Sequence, residues 1–542
     1  MSESTANHES TETPRVTLKG VWSRLRHSRL AGALTVGVLA FLSLGAWSLS
    51  SPVGSNPDAD YHLASIWCTG WGEDPCAMEE RRNQKMVPSA LVEARCYAQD
   101  PFASAGCQPL MTTLDERETM TNRLNTVKKG YPSGFYLVQH TLAGDNIEAS
   151  VIGIRLLNSG LFVVLNLVLW WFLPLRLRAP LVFAWVATMV PLGMFIVPST
   201  NPSSWAVIGV GSAWIALLGY LEEHSRTKWL LGGLFLLFAG LAAMARTDAT
   251  LFAVATSGLA LFVTDAPFRQ IIRRLWIPAV GVVLAGLVLV FQSGALGTLW
   301  AGFRTTENTG FNSGLLWNNI IETPGLWMGA FGAWPWGSLG WLDTPMPQLV
   351  AFMALGVFLT LLGLGFSGAT VRVRLVTTLM LLMMWAIPVY ILQISDFLVG
   401  AGFQSRYGLP LLVVLMGIAV LRSGTVSLGL QRIHLVMMTV ALSIANSIAL
   451  HHNIRRYVTG LDERGLNLDA GREWWWWTFQ DGGLSPMGVW ILGSLAFFGA
   501  VWVALVAGMA PTEKALAVTG ETTKELDTDR EPEEAQSDTS AR

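Results

Sequence analysis

Residues 30–49 read LAGALTVGVLAFLSLGAWSL, a run of 20 residues without a charged side chain. A helix of roughly 20 apolar residues is long enough to cross about 30 Å of hydrocarbon. The whole chain has the same character, because 52% of its 542 residues are hydrophobic and only 14% are charged. In soluble domains about a quarter of all residues are charged. The composition therefore excludes a soluble enzyme and predicts a membrane protein.

Further apolar stretches of similar length follow the first one, so we expect an all-α polytopic membrane protein with about 12 transmembrane helices. The net charge of −2, with no basic tract, argues against a nucleic-acid partner. The predicted spans are 29–50, 148–173, 180–198, 204–221, 229–246, 249–264, 275–295, 348–366, 375–395, 407–422, 433–451 and 487–510.

Lys and Arg concentrate in alternate connectors, as the positive-inside rule requires of cytoplasmic segments. This distribution predicts a multi-pass plasma-membrane protein with both termini in the cytoplasm. A cleaved signal peptide is the alternative for the first run, but its length and the absence of an Ala-x-Ala site favour a retained anchor. The basic residues that set the orientation are Lys19, Arg24, Arg26, Arg29, Arg176, Arg178, Arg226, Lys228, Arg269, Arg273, Arg274, Arg372, Arg374, Arg422 and Arg432.

Three connectors on the opposite side are long, namely the extracytoplasmic segments 51–133, 296–347 and 452–486. Because the long segments outside the membrane are all predicted on this one face, we expect the active face to be extracytoplasmic. The first 18 residues and the last 32 are rich in Ser, Thr and Glu and poor in apolar residues. We therefore expect disordered cytoplasmic ends at 1–28 and 511–542, around a transmembrane domain of residues 29–510.

All four cysteines, Cys68, Cys76, Cys96 and Cys107, lie in the first outer segment, where the setting is oxidising. Three pairings are possible, and we favour Cys68 with Cys76 and Cys96 with Cys107 because both close short loops. A metal site is the alternative, but the spacings are unlike CxxC and no His cluster lies beside them. The prediction is a first outer loop stapled by two disulfides.

Directly after the first span, residues 51–62 read SPVGSNPDADYH, which places Asp58, Asp60 and His62 close together. A partly desolvated carboxylate near the lipid surface can take a proton from an attacking hydroxyl. The structural alternative is that Pro57 stops one helix and Asp58 caps the next. We predict Asp58 or Asp60 as a catalytic base, with His62 shaping the substrate site.

The motif also resembles one found in the domain of unknown function 2142 family of bacterial membrane proteins. The Pro-Asp-Glu-x-x-His-like pattern of that family is matched by Pro57, Asp58 and His62, with Ala59 in place of Glu and Asp60 beside it. The resemblance covers most of the chain. Further matches, in order, are Tyr131-Pro132, Phe135-Tyr136, Arg155-Leu156-Leu157, Asn201-Pro202, Arg406-Tyr407 and Leu409-Pro410.

The family is similar in architecture to GT-C glycosyltransferases. The resemblance implies a GT-C-like membrane glycosyltransferase with a polyprenyl-phosphate-linked sugar as donor and an acidic residue of the first outer loop as base. The acceptor is then a cell-envelope glycan or lipid on the outer face. No cofactor is required by this chemistry, and a divalent metal at the acidic pair stays open as an alternative.

A lipid-phosphate leaving group needs a cation, and Arg can fork onto phosphate oxygens. Arg246 and Arg406 are the candidate phosphate ligands, since both fall at the outer ends of predicted spans. The structural alternatives are a salt bridge of Arg246 with Asp248 and an interfacial anchor made of Arg406 and Tyr407. Arg155, inside the second span, is a third candidate that we expect to pair with a buried carboxylate.

The tryptophans of the outer segments admit two readings, sugar stacking and an interfacial belt. For residues 474–477 we favour a belt on a short surface helix. The middle segment, with Glu307, Asn308 and Asn312, is also a candidate lid over the donor site. Its tryptophans are Trp300, Trp317, Trp327, Trp334, Trp336 and Trp341.

Two other functions compete with the glycosyltransferase. A lipid-linked-sugar flippase or secondary transporter would suit twelve spans, but the sequence shows no internal repeat of the kind many transporters have. A non-catalytic scaffold for envelope assembly would use the acidic motif only as a helix cap.

Overall fold

The computed structural model of the chain is mostly helical, with two small antiparallel sheets. The predicted disordered ends, together with Trp300, Glu307 and Asn308, lie outside the described residues. The structure describes residues 29–70, 76, 78–79, 84–112, 117–128, 130–291, 312–422, 428–479 and 483–508.

The elements are numbered in chain order over the described residues. The helices are α1 (Arg29–Leu49), α2 (Ala59–Trp67), α3 (Ser89–Glu93), α4 (Asn125–Lys128), α5 (Ser133–His140), α6 (Ile147–Phe172), α7 (Leu175–Val186), α8 (Met189–Ile196), α9 (Ser203–Glu222), α10 (Thr227–Ala245), α11 (Thr247–Val263), α12 (Phe268–Arg274), α13 (Trp276–Phe291), α14 (Ser313–Gly329), α15 (Gln348–Ser367), α16 (Val371–Ser395), α17 (Ser405–Ala419), α18 (Arg432–Val458) and α19 (Pro486–Val501). The strands are β1 (Met78–Glu79), β2 (Gln84–Pro88), β3 (Glu118–Thr121), β4 (Ser338–Leu339) and β5 (Thr344–Pro345).

Among the described residues, 8 helices are long and apolar enough to cross a membrane: α1, α6, α9, α10, α15, α16, α18 and α19 with its continuation to Ala507. The pairs α7–α8 and α12–α13 are bent by 80° and 46°, and counting each pair as one span gives 10. Two further apolar helices, α11 and α17, are shorter. The predicted α-helical membrane fold is confirmed, whereas the count of 12 spans is not, because four of the twelve segments are bent or short.

Helix α9 lies at the centre of the bundle, with every residue from Ser203 to Leu221 buried. It packs most closely against α10, since a Cβ added at Gly209 would lie 2.5 Å from the carbonyl oxygen of Phe238 and 2.6 Å from the amide nitrogen of Ala242. Small residues permit such close approach of helix backbones in lipid. This packing brings Ser203, at the start of α9, to the end of α10.

The loop between α1 and α2 is buried and is held by Arg155 of α6. Arg155 Nη1 donates to the carbonyls of Ser48 and Ser51 at 2.8 and 2.5 Å. Its Nη2 donates to the carbonyl of Pro52 at 2.8 Å and to Ser55 Oγ at 3.1 Å. The expectation that Arg155 pairs with a buried carboxylate is therefore wrong. Its acceptors are backbone carbonyls and a hydroxyl, so it fixes the loop that leads to the acidic motif.

The first outer segment is a small stapled unit. Both predicted disulfides, Cys68–Cys76 and Cys96–Cys107, are confirmed, with Cα–Cα distances of 5.2 and 6.1 Å. Strand β2 lies between β1 and β3 in an antiparallel sheet, and Val87 of β2 packs in a buried cluster with the first disulfide. Helix α2 is buried along its whole length, so the segment presents the acidic motif from a well-packed base.

Arg456 connects the three predicted outer segments. Helix α18 continues seven residues beyond the predicted end of its span, and its 27 residues extend about 40 Å. Near its end, Arg456 Nη2 donates to Asp343 Oδ2 at 3.0 Å and to the carbonyl of Tyr97 at 2.9 Å. The middle segment also contains α14, which the sequence did not predict, with Asn312 as its N-cap.

The tryptophans 474–477 do not form the predicted surface helix. Trp474, Trp475 and Trp476 are buried on an extended stretch of chain, and Trp476 Nε1 donates to the carbonyl of Leu49 at 2.9 Å. Only Trp477 is exposed, at the start of a short 3-10 turn. The interfacial-belt reading is wrong for the three buried rings, because they are part of the hydrophobic core.

Candidate functional site

Asp58 stands at the end of a tightly held loop. Its φ of 57° lies in the left-handed region, which Asp tolerates better than most residues. The carbonyl of the preceding Pro57 accepts a hydrogen bond from Asn201 Nδ2 at 3.0 Å, and Asn56 Nδ2 donates to Thr200 Oγ1 at 3.1 Å. Asp58 occupies the N-cap position of α2, but its side chain makes no capping bond. The cap alternative is therefore wrong for the carboxylate, which forms ion pairs with Arg123 and Arg406 instead.

The two carboxylates share one arginine but differ in exposure. Arg123 Nε donates to Asp60 Oδ2 at 2.8 Å, and Arg123 Nη2 lies 3.3 Å from one oxygen of Asp60 and 3.3 Å from one of Asp58. Arg95 Nη2 lies 3.5 Å from Asp60 Oδ2. The Asp60 side chain is 2% exposed and that of Asp58 is 42% exposed. Asp60 is thus closed off by guanidinium groups, and Asp58 is the carboxylate that an incoming hydroxyl can reach.

Arg406, the second residue of α17, binds the other oxygen of Asp58. Its Nη2 donates to Asp58 Oδ2 at 3.1 Å and to the hydroxyl of Tyr407 at 3.0 Å. The side chain is only 3% exposed. Its Nε and Nη1 are buried without a hydrogen-bond acceptor among the described residues, which is unusual for a charged group in a native protein. Arg406 therefore has donor capacity that its protein partners do not use.

A second guanidinium meets the same tyrosine. The Cζ atoms of Arg246 and Arg406 lie 4.2 and 4.9 Å from the ring centroid of Tyr407, in the range of cation–π contact. Arg246 also forks onto Asp248 with bonds of 2.9 and 2.7 Å and donates to Ser203 Oγ at 3.2 Å. The salt bridge with Asp248, which was the structural alternative for Arg246, exists. It does not remove Arg246 from the site, because the same guanidinium contacts the ring of Tyr407.

His62 lies in a cluster of aromatic rings next to these charges. Its Nδ1 is 2.8 Å from the hydroxyl of Tyr136, and its ring centroid is 5.1 Å from that of Tyr131. Burial, followed by the positive charges of Arg406 and Arg246, holds the pKa of His62 well below its ordinary value. Burial likewise raises the pKa of Tyr131 to about 12. His62 is therefore a neutral, buried ring that shapes the wall of the site.

We expect acid to destabilise the protein through His62. The unfolded chain binds a proton at His62 near its ordinary pKa of 6.5, but the folded protein, with its lowered pKa, does not. The free energy of unfolding therefore falls by about 1.4 kcal/mol per pH unit as the pH drops below the ordinary pKa, until the lowered pKa is reached. Thermal unfolding in detergent between about pH 7.5 and pH 5 measures this slope.

The comparison that isolates the effect is with His62→Asn, which should lose this part of the slope. The matched control is His224→Asn in an exposed connector, which should keep the wild-type slope. Equal slopes in the wild type and in His62→Asn would contradict the assignment of a neutral buried His62.

An apolar cavity of about 400 Å³ opens beside the charged cluster. Its walls are formed by α10, α11 and α13. At one end its rim includes Pro132 and Gly134, just after Tyr131, and Met244, two residues before Arg246. A cavity of this size and composition suits an apolar ligand chain. One end of this groove therefore lies near the part of the chain that carries Arg246.

The structure brings most of the predicted site residues together. Asp58, Asp60, Arg406 and Tyr407 belong to one network of ion pairs and hydrogen bonds, and Arg246 joins it over the Tyr407 ring. The cysteines support the same outer segment through their disulfides but lie outside this network. The site residues come from α2, from the end of α10 and from the start of α17.

Sequence reasoning missed Arg95, Arg123 and Ser203. The one available signal was that Arg95 and Arg123 lie in an outer segment, against the positive-inside distribution, in the same segment as an acidic pair. The contact itself was not predictable, because Arg123 and Asp60 are 63 residues apart. In the described parts of the chain, no group of three or more His, Cys, Asp or Glu is placed to hold a metal ion.

Residues 41–415, about two thirds of the chain, match the model of a known family, the predicted membrane proteins DUF2142. The match includes Asp58, Arg246 and Arg406. The chain matches no curated protein sequence and no solved structure. The chain therefore belongs to the DUF2142 family of predicted membrane proteins.

Proposed function

We propose that this protein is a membrane glycosyltransferase of GT-C type. It transfers a sugar from a polyprenyl-phosphate-linked donor to a cell-envelope glycan or lipid acceptor on the outer face of the plasma membrane. The observation that carries the proposal is the cluster of Asp58, Arg406 and Arg246 next to an apolar groove whose rim includes Met244, two residues before Arg246. The outer location follows from the distribution of Lys and Arg among the connectors.

The groove suits the lipid part of such a donor. Its lining is almost entirely apolar, with small residues such as Gly240, Ala243 and Gly281 that leave room for a chain. A polyprenyl tail lying there brings its phosphate to the rim, because the tail and the phosphate are covalently joined. Met244 at the rim is two residues before Arg246, and Arg406 meets Arg246 over the ring of Tyr407.

The arginines suit the phosphate. A guanidinium binds phosphate oxygens through short, charge-assisted hydrogen bonds, and these are strongest in surroundings with little water. Arg406 is buried with unused donors, and Arg246 is fixed by Asp248 and Ser203. As the bond between the anomeric carbon and the phosphate oxygen breaks, both cations stabilise the negative charge that grows on the leaving polyprenyl phosphate.

Asp58 suits the role of base. The acceptor hydroxyl oxygen forms a bond with the anomeric carbon of the sugar, its proton moves to the Asp58 carboxylate, and the bond to phosphate breaks. Arg406 can offer its unused Nε and Nη1 donors to the phosphate while Nη2 binds Asp58, so the phosphate and Asp58 compete for one positive charge rather than for one donor. Donor binding therefore weakens the ion pair between Asp58 and Arg406. Asp60 acts as a positioning residue that holds Arg123 beside Asp58.

The test begins with polyprenyl phosphate, because the proposed reaction releases it whichever sugar the donor carries. Arg406→Gln in lipid nanodiscs should bind labelled polyprenyl phosphate roughly ten- to a hundredfold more weakly than the wild type, as expected for loss of a charged hydrogen-bonding partner. The control is Arg464→Gln, which removes an exposed charge from the last predicted outer segment and should leave binding unchanged.

Binding is then paired with a transfer assay that uses synthetic polyprenyl-phosphate hexoses and pentoses and a cell-envelope extract as acceptor. Transfer that is lost in Arg406→Gln and kept in Arg464→Gln supports the proposal. Unchanged binding in Arg406→Gln would contradict the phosphate assignment. Movement of the labelled lipid across the bilayer without any change in the glycan would favour the flippase instead.

A further inference from the structure

A second cavity lies at the other end of α10, and its lining is polar. It has a volume of about 420 Å³ and is lined by side chains of the α9 end, the α10 start and α12. Four of its lining residues are cationic and none is acidic. The lining residues are Tyr220, Lys228, Trp229, Pro267, Arg269, Gln270, Arg273, Arg274 and Trp276.

Two of the polar side chains that line the pocket hold its helices together through hydrogen bonds. The other three form no ion pair among the described residues and can face a ligand. Arg274 Nη1 donates to the carbonyls of Tyr220, Leu221 and Glu223, and Gln270 Nε2 donates to the carbonyl of Leu221. These bonds fasten α12 to the end of α9. The other cations, Lys228, Arg269 and Arg273, form no ion pair with any described residue.

The acids of the adjoining connectors are directed elsewhere. Glu222 and Asp265 both pair with Arg176, on the side of α7. The carboxylate of Glu223 accepts hydrogen bonds from the amides of His224 and Ser225. The positive charge of the pocket is therefore not neutralised by a neighbouring carboxylate in the described structure.

Aromatic rings line the cavity beside the charges. The rings of Tyr220 and Trp229 are 6.2 Å apart, and those of Trp229 and Trp276 are 5.9 Å apart. Both tryptophans are exposed, as are Phe268 and Ile272 of α12. Exposed Trp next to Lys and Arg is typical of the level of lipid headgroups. The short helix α12 meets α13 at 46°, as expected where a chain turns from the membrane surface into the bilayer.

The pocket lies at the end of α10 that is remote from Arg246 and Asp58. Helix α10 begins at Thr227, next to Lys228, and ends beside Arg246, and its 19 residues extend about 28 Å, the thickness of the hydrocarbon layer. By the Lys and Arg distribution this is the cytoplasmic side, where the surface of the bilayer is rich in anionic lipids. Helix α13 also exposes apolar residues outside the lining of the first cavity, including Val280 and Val283, along which acyl chains can lie.

We propose that this pocket binds the phosphate-bearing headgroup of an anionic membrane phospholipid. Arg269 and Arg273 are four residues apart on α12, so they lie on one face of the helix and can both donate to the phosphate. Lys228 supplies a third charge, and the Trp229 and Trp276 rings flank the glycerol backbone. The site is independent of the proposed transfer reaction.

The experiment compares lipids by native mass spectrometry of the full-length protein released from nanodiscs of mixed phosphatidylglycerol and phosphatidylcholine. The wild type should retain phosphatidylglycerol in preference. Arg269→Gln combined with Arg273→Gln should lower that retention roughly thirtyfold, as expected for the loss of two charges near an anionic lipid surface. Lys228→Gln should give a smaller loss. Arg269 and Arg273 are exposed, so the variants should melt like the wild type in phosphatidylcholine.

The matched control is Arg372→Gln combined with Arg374→Gln at the start of α16, an exposed basic pair on the same predicted side. It should retain phosphatidylglycerol like the wild type. Equal loss in the two double variants would overturn the proposal, because it would show attraction by net charge alone. A soluble source of phosphate is tested by adding inorganic phosphate or glycerol phosphate to protein in pure phosphatidylcholine. Stabilisation of the wild type by these anions, equal to that by phosphatidylglycerol, would overturn the assignment to a lipid.

Discussion

Asp58→Asn is expected to lower the rate of sugar transfer at least a hundredfold while the protein stays folded. General base catalysis contributes roughly 10²- to 10⁴-fold to a rate, and an amide cannot accept the proton of the acceptor hydroxyl. The Asp58 side chain is half-exposed, so its replacement leaves little buried polar surface without a partner. The transfer assay with polyprenyl-phosphate sugars measures this loss as a fall in turnover at saturating donor.

Donor binding should change in the opposite direction. Asp58 competes with the phosphate for Arg406, so its neutralisation should strengthen binding of polyprenyl phosphate. The matched variant is Asp60→Asn. Because Asp60 is buried against Arg123 and Arg95, this variant should lower the melting temperature and reduce transfer less than Asp58→Asn does. Full transfer activity in both single variants and in the double variant, all correctly folded, would refute the base assignment.

Arg155→Met should destabilise the protein by about 3 kcal/mol or more. The carbonyls of Ser48, Ser51 and Pro52 lose the buried donor that serves them, and each buried polar group left without a partner costs about 1–3 kcal/mol. The loop that leads to Asp58 then loses its anchor. We therefore expect both a lower melting temperature in detergent and a weaker transfer activity in the fraction that stays folded.

Arg178→Met is the control for this variant. Arg178 also donates to two backbone carbonyls, at 3.0 and 2.9 Å, and its Cζ lies 5.1 Å from a ring centroid, that of Trp170. It is only half-buried, so water can replace its hydrogen bonds, and its loss should shift the melting temperature little. Similar shifts in the two variants would show that burial of the Arg155 bonds is not what stabilises the loop.

The parts of the fold that could be predicted from the sequence are those governed by local composition. The run 30–49 becomes α1, and the short-range cysteine pairs form as expected. The count of spans was not predictable, because a kink such as the one between α7 and α8 depends on packing. Apolar content alone does not distinguish a straight span from a bent or short one.

The candidate site divides in the same way. Asp58 and Arg406 were identifiable, because polar groups near predicted membrane ends are rare. Arg123 was not, since nothing in the sequence shows that the turn after β3 brings Arg123 to Asp60. Trp476 was misread because a run of four tryptophans is typical of an interface. Its indole is buried instead and donates to the carbonyl of Leu49. Arg155 was misread because its acceptors are backbone carbonyls, which no residue type in the sequence reveals.

The ion pair between Asp58 and Arg406 also has a consequence for biosynthesis. It joins residues 348 positions apart, while the two disulfides close loops of 8 and 11 residues. At about 5–20 residues per second, a ribosome needs roughly 17–70 s to travel from one partner to the other. Both disulfides can form once Cys107 has been made, 49 residues after Asp58, whereas the charged cluster cannot form before Arg406 has been made. We expect the nascent protein to acquire a folded outer segment first and its ligand-binding capacity only after α17 has been inserted.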